Sequence, residues 1–264
     1  MTPSPRRVLV TGAGGTLAGD SLPILLERTR GEWELVLTDA DADPDAAPPV
    51  QELDVRDLEA CGRAFDGVDT VVHLAGAAAP DSPWEIVLDL NVVGTRTVLE
   101  AARLAGVRRV VLASSNHAMG MYDRDEQWPV YNSQPPRPDS LYGVSKVVGE
   151  VLGRFYHEEH GLDVIALRIG WVSGDDYGAA DQDIVRAMWL SPGDAAQALQ
   201  RAVEAPTRFG IYYAVSDNHN RRWDLTDAML ELGYRPQDSW HAVAGEEERV
   251  VPGGEHTPDS WPEA

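Results

Sequence analysis

Tyr142 and Lys146 stand four residues apart in Ser140-Leu141-Tyr142-Gly143-Val144-Ser145-Lys146. That spacing puts both side chains on one face of a helix, about one turn apart. Lys146 is the only lysine in the chain; the other strongly basic residues are all arginine. A free phenol has a pKa of about 10 and is a poor base at neutral pH. A fixed ammonium beside it favours the phenolate, so the pair is expected to depress the Tyr142 pKa and make it a proton acceptor. A Tyr-x-x-x-Lys spacing also arises by chance on surface helices, so the elements around the pair must decide.

A chain of 264 residues that is 43% hydrophobic suits one α/β domain, or one domain with a small appendage. The single cysteine, Cys61, rules out an internal disulfide and any multi-cysteine metal site, and no metal is expected. Met1-Thr2-Pro3-Ser4-Pro5-Arg6-Arg7 is not followed by the long apolar segment of a signal peptide, and no apolar run is long enough to span a membrane. The expectation is a cytoplasmic protein. A net charge of -21 argues against nucleic acid and against anionic membrane surfaces as partners. The acidic residues are dispersed, and with lysine almost absent this resembles the solvated surface of proteins from salt-adapted organisms; an arginine-for-lysine bias from a GC-rich genome remains the alternative.

The elements follow in an alternating order. Arg7 to Thr11 is an apolar run stopped by glycine, as in a buried parallel strand, and Gly12 to Gly19 leads from it into a helix-spaced segment. Strand, glycine loop and helix form the context in which Gly12, Gly15, Thr16 and Leu17 can cradle a pyrophosphate. Leu17 breaks G-x-G-x-x-G, whereas T-G-x-x-G-x-x-A/G fits through Thr11, Gly12, Gly15 and Ala18. A second strand from Trp33 ends at Asp39, placed to accept both adenosine-ribose hydroxyls. Its charge would repel a 2'-phosphate, and no arginine follows to offset that, so NAD is preferred over NADP. A third strand from Val50 leads into Asp54 and Val55, whose end could meet the adenine. A helix over 56–65 follows. The fourth strand from Asp69 carries His73, read as a core histidine, and exits through Leu74, Ala75 and Gly76.

Trp84 to Ala105 reads as one long helix carrying Asn91, and Arg108 to Ala113 as a fifth strand that delivers Ser114, Ser115, Asn116 and His117 at its carboxyl end. A loop over 120–139 precedes the Tyr142 helix, which runs to about His160. A sixth strand over 163–168 ends in Ile169-Gly170-Trp171. Helices over 181–190, 194–204 and 225–232 and a strand over 211–215 complete the pattern. The expected architecture is α/β, a doubly wound parallel sheet with a small C-terminal lobe. Residues 1–170 would be the dinucleotide-binding core, 171–244 the substrate lobe and 245–264 an acidic tail, extended or disordered.

Thr11-Gly-x-x-Gly, Asp39, the Ser114-Ser115 strand end and Tyr142-x-x-x-Lys146 occur in that order, and over about residues 6–235 the chain resembles the extended short-chain dehydrogenase/reductases. Ser114-Ser115-Asn116-His117-Ala118-Met119-Gly120, Leu141-Tyr142-Gly143-Val144-Ser145-Lys146 and Leu167-Arg168-Ile169-Gly170 look like the small sugar dehydrogenases of that superfamily, which act on uronates, neutral aldoses or sugar phosphates. The resemblance implies NAD-dependent oxidation of the anomeric carbon of a cyclic sugar to a lactone. By it Tyr142 is the base, Lys146 holds the nicotinamide ribose and Ser115 binds the reacting oxygen, with Ser114 the weaker candidate. Asn116 and His117 would take other sugar hydroxyls, although His117 could be a structural loop residue. Leu74, Ala75, Gly76 and Ile169 would line the cofactor, and Asn91 would organise backbone and water near the lysine.

The departures from the uronate pattern carry information. Uronate dehydrogenases have an arginine at the position of Ile184 and a serine where this chain has Ala77-Ala78-Ala79. A bidentate arginine–carboxylate contact is not easily replaced, so a neutral aldose is favoured. A sugar phosphate stays open if Arg186 or Arg137 turns inward. A nucleotide-sugar epimerase or dehydratase shares the motifs, but the chain after the sixth strand is short for holding a nucleotide. A dinucleotide sensor would have no need of the tyrosine–lysine pair. Pairing through the helices at 84–105 and 142–160 would give a homodimer.

Overall fold

The computed structural model describes residues 5–172 and 183–243. The expected tail at 245–264 and the start of the expected 181–190 helix lie outside the described residues. Seven strands form one sheet in the order β3-β2-β1-β4-β5-β6-β9, with β1 Arg6–Thr11, β2 Trp33–Asp39, β3 Val50–Glu52, β4 Thr70–His73, β5 Arg109–Ser115, β6 Asp163–Ile169 and β9 Phe209–Ala214. Every pairing in it is parallel. A further parallel pair, β7 Trp171–Val172 with β8 Trp189–Leu190, lies beside it. The end of the expected helix at 181–190 is thus strand: helix α7 covers Asp183–Met188, and Trp189 and Leu190 extend to pair with Trp171 and Val172.

The strands read as apolar runs because they are buried on both faces. Period-two alternation splits each run between two layers. Val8, Val10, Val72, Val111, Ile165 and Leu167 face one core with Leu22 and Leu25 of helix α1 (Thr16–Arg28) and Leu199 and Val203 of α8 (Pro192–Glu204). Leu9, Val71, Val110, Leu112, Val164 and Ala166 face the other, with Cys61 of α2 (Leu58–Ala64), Val98 and Leu99 of α4 (Thr95–Leu104) and Tyr156 of α6 (Leu141–His160).

The run expected as one helix over 84–105 is continuous but not uniform. It begins as α3 (Trp84–Ile86), widens to a π-helical stretch over Val87–Gly94 and returns to α4. Such widening often marks functional positions, and Asn91 lies within it. The 120–139 segment holds structure that the sequence pattern did not show: helix α5 over Gly120–Arg124, entered from a 3-10 turn over Asn116–Met119. The last expected helix is π-helical over Ala228–Leu232, and α9 (Trp240–Val243) closes the described chain.

Among the described residues no helix is long and apolar enough to cross a membrane. The strand order reverses between β1 and β4, and in sheets of this kind ligands sit outside the carboxyl ends of the strands at that switch. The carboxyl ends of β1, β2, β4, β5 and β6 deliver Gly12, Asp39, Leu74, Asn116 and Gly170 to one rim.

Candidate active site

Helix α6, which carries Tyr142 and Lys146, is fixed at both ends by its caps. The Ser140 Oγ caps α6 by accepting from the Gly143 N–H at 3.0 Å, and Gly161 ends the helix in the left-handed conformation at φ 72°. Gly143 permits the helix start to press on the 3-10 turn, since a Cβ there would lie 2.4 Å from the His117 carbonyl oxygen. Gly153 allows equally close contact with β6, where a Cβ would meet Val164 at 2.8 Å. The helix is therefore held against the turn that follows β5 and against β6, at the strand ends that carry the other polar groups.

A cleft of about 410 Å³ opens at this rim, lined among others by Thr16, Leu17, Leu74, Gly76, Ser115, Asn116, His117, Tyr142, Lys146 and Ile169. Ten residues expected from the sequence thus converge. Trp171, Val172 and Met188 form a wall that sequence reasoning did not single out, although Gly170 marks it. A Cβ at Gly170 would lie 2.0 Å from the Met188 carbonyl oxygen, so only glycine lets the β7–β8 pair close against β6.

Lys146 donates from Nζ to the Ala113 carbonyl at 2.8 Å, and its nitrogen sits 5.4 Å from the Tyr142 ring centroid. Burial pushes the Lys146 pKa down to about 8. Tyr142 is buried at 7% exposure, and its pKa is raised, not depressed as expected. Burial is the leading cause and the Asp139 charge adds to it, while a hydrogen bond with Ser115 opposes it. Loss of solvation disfavours the phenolate here, and that effect sets the direction.

Ser115 is the serine that faces the site. Its Oγ accepts from the His117 N–H at 3.2 Å and donates to Asn116 Oδ1 at 3.3 Å. Ser114 also borders the cleft, but its Oγ is committed to Glu150 Oε1, to which it donates at 2.6 Å. Asn91 ties loop and helix together: its amide accepts from the Ala77 N–H at 2.8 Å and donates to the Ala77 carbonyl and the Ser145 Oγ, both at 3.0 Å. Ser145 in turn donates to the Tyr142 carbonyl at 2.6 Å, so Asn91 braces the helix turn between tyrosine and lysine. His73 is a core residue, bridging Thr11 at 2.8 Å and Thr95 at 3.2 Å, and burial drives its pKa down to about 3.

The glycine loop fits a dinucleotide. Gly12 has φ +75°, and a Cβ there would lie 2.4 Å from the Ala75 nitrogen, so the β1 and β4 exits approach as only glycine allows. Gly15 forms the N-terminal boundary of α1 without a side-chain cap, leaving the first N–H groups of the helix directed at the rim. The Asp39 carboxylate accepts from the Gly14 N–H at 2.8 Å, which holds it beside the loop. A dinucleotide would thus meet backbone donors at its phosphates and an acceptor-only carboxylate at its ribose. Asp39→Ser is expected to raise kcat/KM with NADP relative to NAD by on the order of tenfold, measured by initial rates with each cofactor.

Other expected residues lie away from the cleft. Asp54 pairs with Arg56, whose hydrogen bond to it holds the carboxyl low, and Val55 is buried against Gly94. Arg137 turns outward to Asp125 at 2.7 Å and lies 4.8 Å over the Tyr122 ring. Arg186 on α7 is not among the described residues lining the cleft, and Ile184 is buried in the core. Among the described residues no group of three or more His, Cys, Asp or Glu is placed to hold a metal.

Comparison with known proteins decides between this geometry and chance. The NAD dependent epimerase/dehydratase family matches residues 8–208. The chain belongs to that family. Within the family it is 41% identical to the L-arabinose 1-dehydrogenase (NAD(P)(+)) of Haloferax volcanii, over 88% of this chain and 97% of the relative. It is 36% identical to the NAD-dependent glucose-6-phosphate dehydrogenase of the same organism, over 88% and 93%. The uronate dehydrogenase of Agrobacterium tumefaciens, solved as a tyrosine-to-alanine mutant complexed with NAD, superposes with a TM-score of 0.78 at 30% identity, covering 95% of this chain and 91% of that one.

Proposed function

We propose that the protein is an NAD-dependent sugar 1-dehydrogenase that oxidises the anomeric carbon of a free neutral aldose to its lactone. The observation that carries the reading is the convergence of Tyr142, Lys146 and Ser115 on one cleft beside the glycine loop. The sugar dehydrogenases among its relatives support the reaction class. NAD would be held by the Gly12–Leu17 loop, Asp39, Leu74, Gly76 and Ile169, and when bound it supplies the hydride acceptor for C1.

The chain's own groups handle the proton and the orientation. The Ser115 hydroxyl, already within hydrogen-bonding reach of Tyr142, holds the C1 oxygen against the phenol. Tyr142 takes the proton from the C1 hydroxyl as the C–H bond yields its electron pair, leaving a carbonyl at C1. Lys146, with its nitrogen 5.4 Å from the Tyr142 ring centroid, stabilises the phenolate at the moment it forms. Asn116 and His117 meet the remaining hydroxyls.

No arginine is present among the described residues that line the cleft. A carboxylate or phosphate would find no bidentate partner there, and this supports a neutral sugar over a uronate or sugar phosphate. Residues 1–170 serve as the cofactor core and 171–244 as the sugar lobe. A screen of aldoses, uronates and sugar phosphates with NAD and with NADP tests the substrate. NADH formation with a neutral aldose is expected, and turnover of uronates alone would overturn the argument from Ile184 and Arg186.

A further inference from the structure

Asp139 lies just ahead of the tyrosine helix and has no place in the reaction as written above. Its side chain is 1% exposed, yet it holds a carboxylate. Both oxygens lie close to His117 Nδ1, at 3.0 and 2.9 Å, and one accepts from the Ser140 Oγ at 3.0 Å. The Asp139 N–H donates to the His117 carbonyl at 3.3 Å, so the two residues are joined through main chain and side chain. Space is kept for them by two glycines. A Cβ at Gly120 would lie 1.9 Å from an Asp139 carboxylate oxygen, and one at Gly143 would strike the His117 carbonyl. The His117 ring stands edge-on to the Tyr142 ring at 5.8 Å and lines the cleft.

A buried carboxylate used only for helix capping would not need both oxygens on an imidazole. An ionised carboxylate only accepts, so His117 Nδ1 must carry the proton. The hydrogen bond made by one ring nitrogen fixes the state of the other, and in the neutral ring Nε2 is then an acceptor. We propose that Asp139 is a positioning residue that holds His117 as the Nδ1–H tautomer, so that Nε2 accepts a hydrogen bond from a hydroxyl of the sugar. This rests on the proposed function and deepens it, because an acceptor nitrogen selects a hydroxyl and rejects a carboxylate or phosphate oxygen.

A double-mutant cycle on the full chain tests it. Asp139→Asn can present its amide N–H to Nδ1 and reverse the tautomer, and is expected to raise KM for the aldose on the order of tenfold with NAD affinity and Tm unchanged. His117→Gln should do the same, and the double variant should be no worse than His117→Gln alone. Gly120→Ala, which forces the carboxylate aside without removing it, should reproduce the KM effect if Asp139→Asn fails to fold. Imidazole nitrogen NMR of the uncomplexed protein should show a protonated Nδ1 on His117. Multiplying losses in the double variant, an unchanged KM in Asp139→Asn, or a protonated Nε2 with bare Nδ1 would overturn the proposal. If no aldose gives NADH with the unaltered protein, the functional reading and the hydroxyl contact fall together, while the NMR still decides whether Asp139 sets the tautomer.

Discussion

Tyr142→Phe should lower kcat with a neutral aldose by about 10²–10⁴-fold, the usual range for losing a positioned proton acceptor, while NAD binding is retained. The expectation follows from where the hydroxyl sits. Tyr142 is buried and lines the cleft beside Ser115, so the variant removes one oxygen from a packed site and leaves the ring's contacts in place. The raised pKa sharpens the prediction. In the free protein the phenol resists ionisation, since burial and the Asp139 charge both act against the phenolate. In the proposed reaction, proton transfer would then depend on Lys146 and on positive charge brought in with oxidised cofactor. Lys146→Met should produce a loss in kcat similar in direction, whereas Ser114→Ala should not, because Ser114 faces Glu150. Initial rates and cofactor titrations of the three variants separate these outcomes.

The largest effect on stability is expected at Glu150. Its carboxylate receives both guanidinium arms of Arg168, Nε to Oε1 and Nη2 to Oε2 at 2.8 Å each, and also the Ser114 hydroxyl. The two side chains are 3% and 2% exposed. Glu150→Leu leaves Arg168 charged and buried beside Tyr213, and breaking a buried pair from one side costs about 3–5 kcal/mol. Replacing both partners, Glu150→Leu with Arg168→Met, should recover much of that loss, because the uncompensated charge is gone. Chemical denaturation of the two variants checks it; equal destabilisation of single and double variants would contradict the argument. The pair joins α6 to β6 directly behind the site, so the single variant should also reduce kcat.

Much of the fold was legible because parallel strands buried on both faces leave apolar runs, and glycine punctuates them. Val8-Leu9-Val10 and Val110-Val111-Leu112 could hardly be read otherwise. Ten cleft residues were placed in advance because the motif carriers sit at strand ends, where topology leaves little freedom. What escaped has physical reasons. Trp189 and Leu190 looked like the end of a helix, since a two-residue strand has no periodicity to detect. Asp139 resembled one more acidic loop residue in a chain of net charge -21, and only its contact with His117 distinguishes it. The Glu150–Arg168 pair lies eighteen residues apart on different elements, beyond any local pattern. The Tyr142 pKa was read in the wrong direction because adjacency to lysine is visible in sequence and desolvation is not.

In the proposed reaction hydride leaves C1 of a free sugar for good, with Tyr142 taking the proton. Incubation with a neutral aldose deuterated at C1 and stoichiometric NAD tests it most directly. One NADD per lactone is expected, with the deuterium on the nicotinamide. Return of the deuterium to a sugar product with no net reduced cofactor, as an epimerase would give, would contradict it.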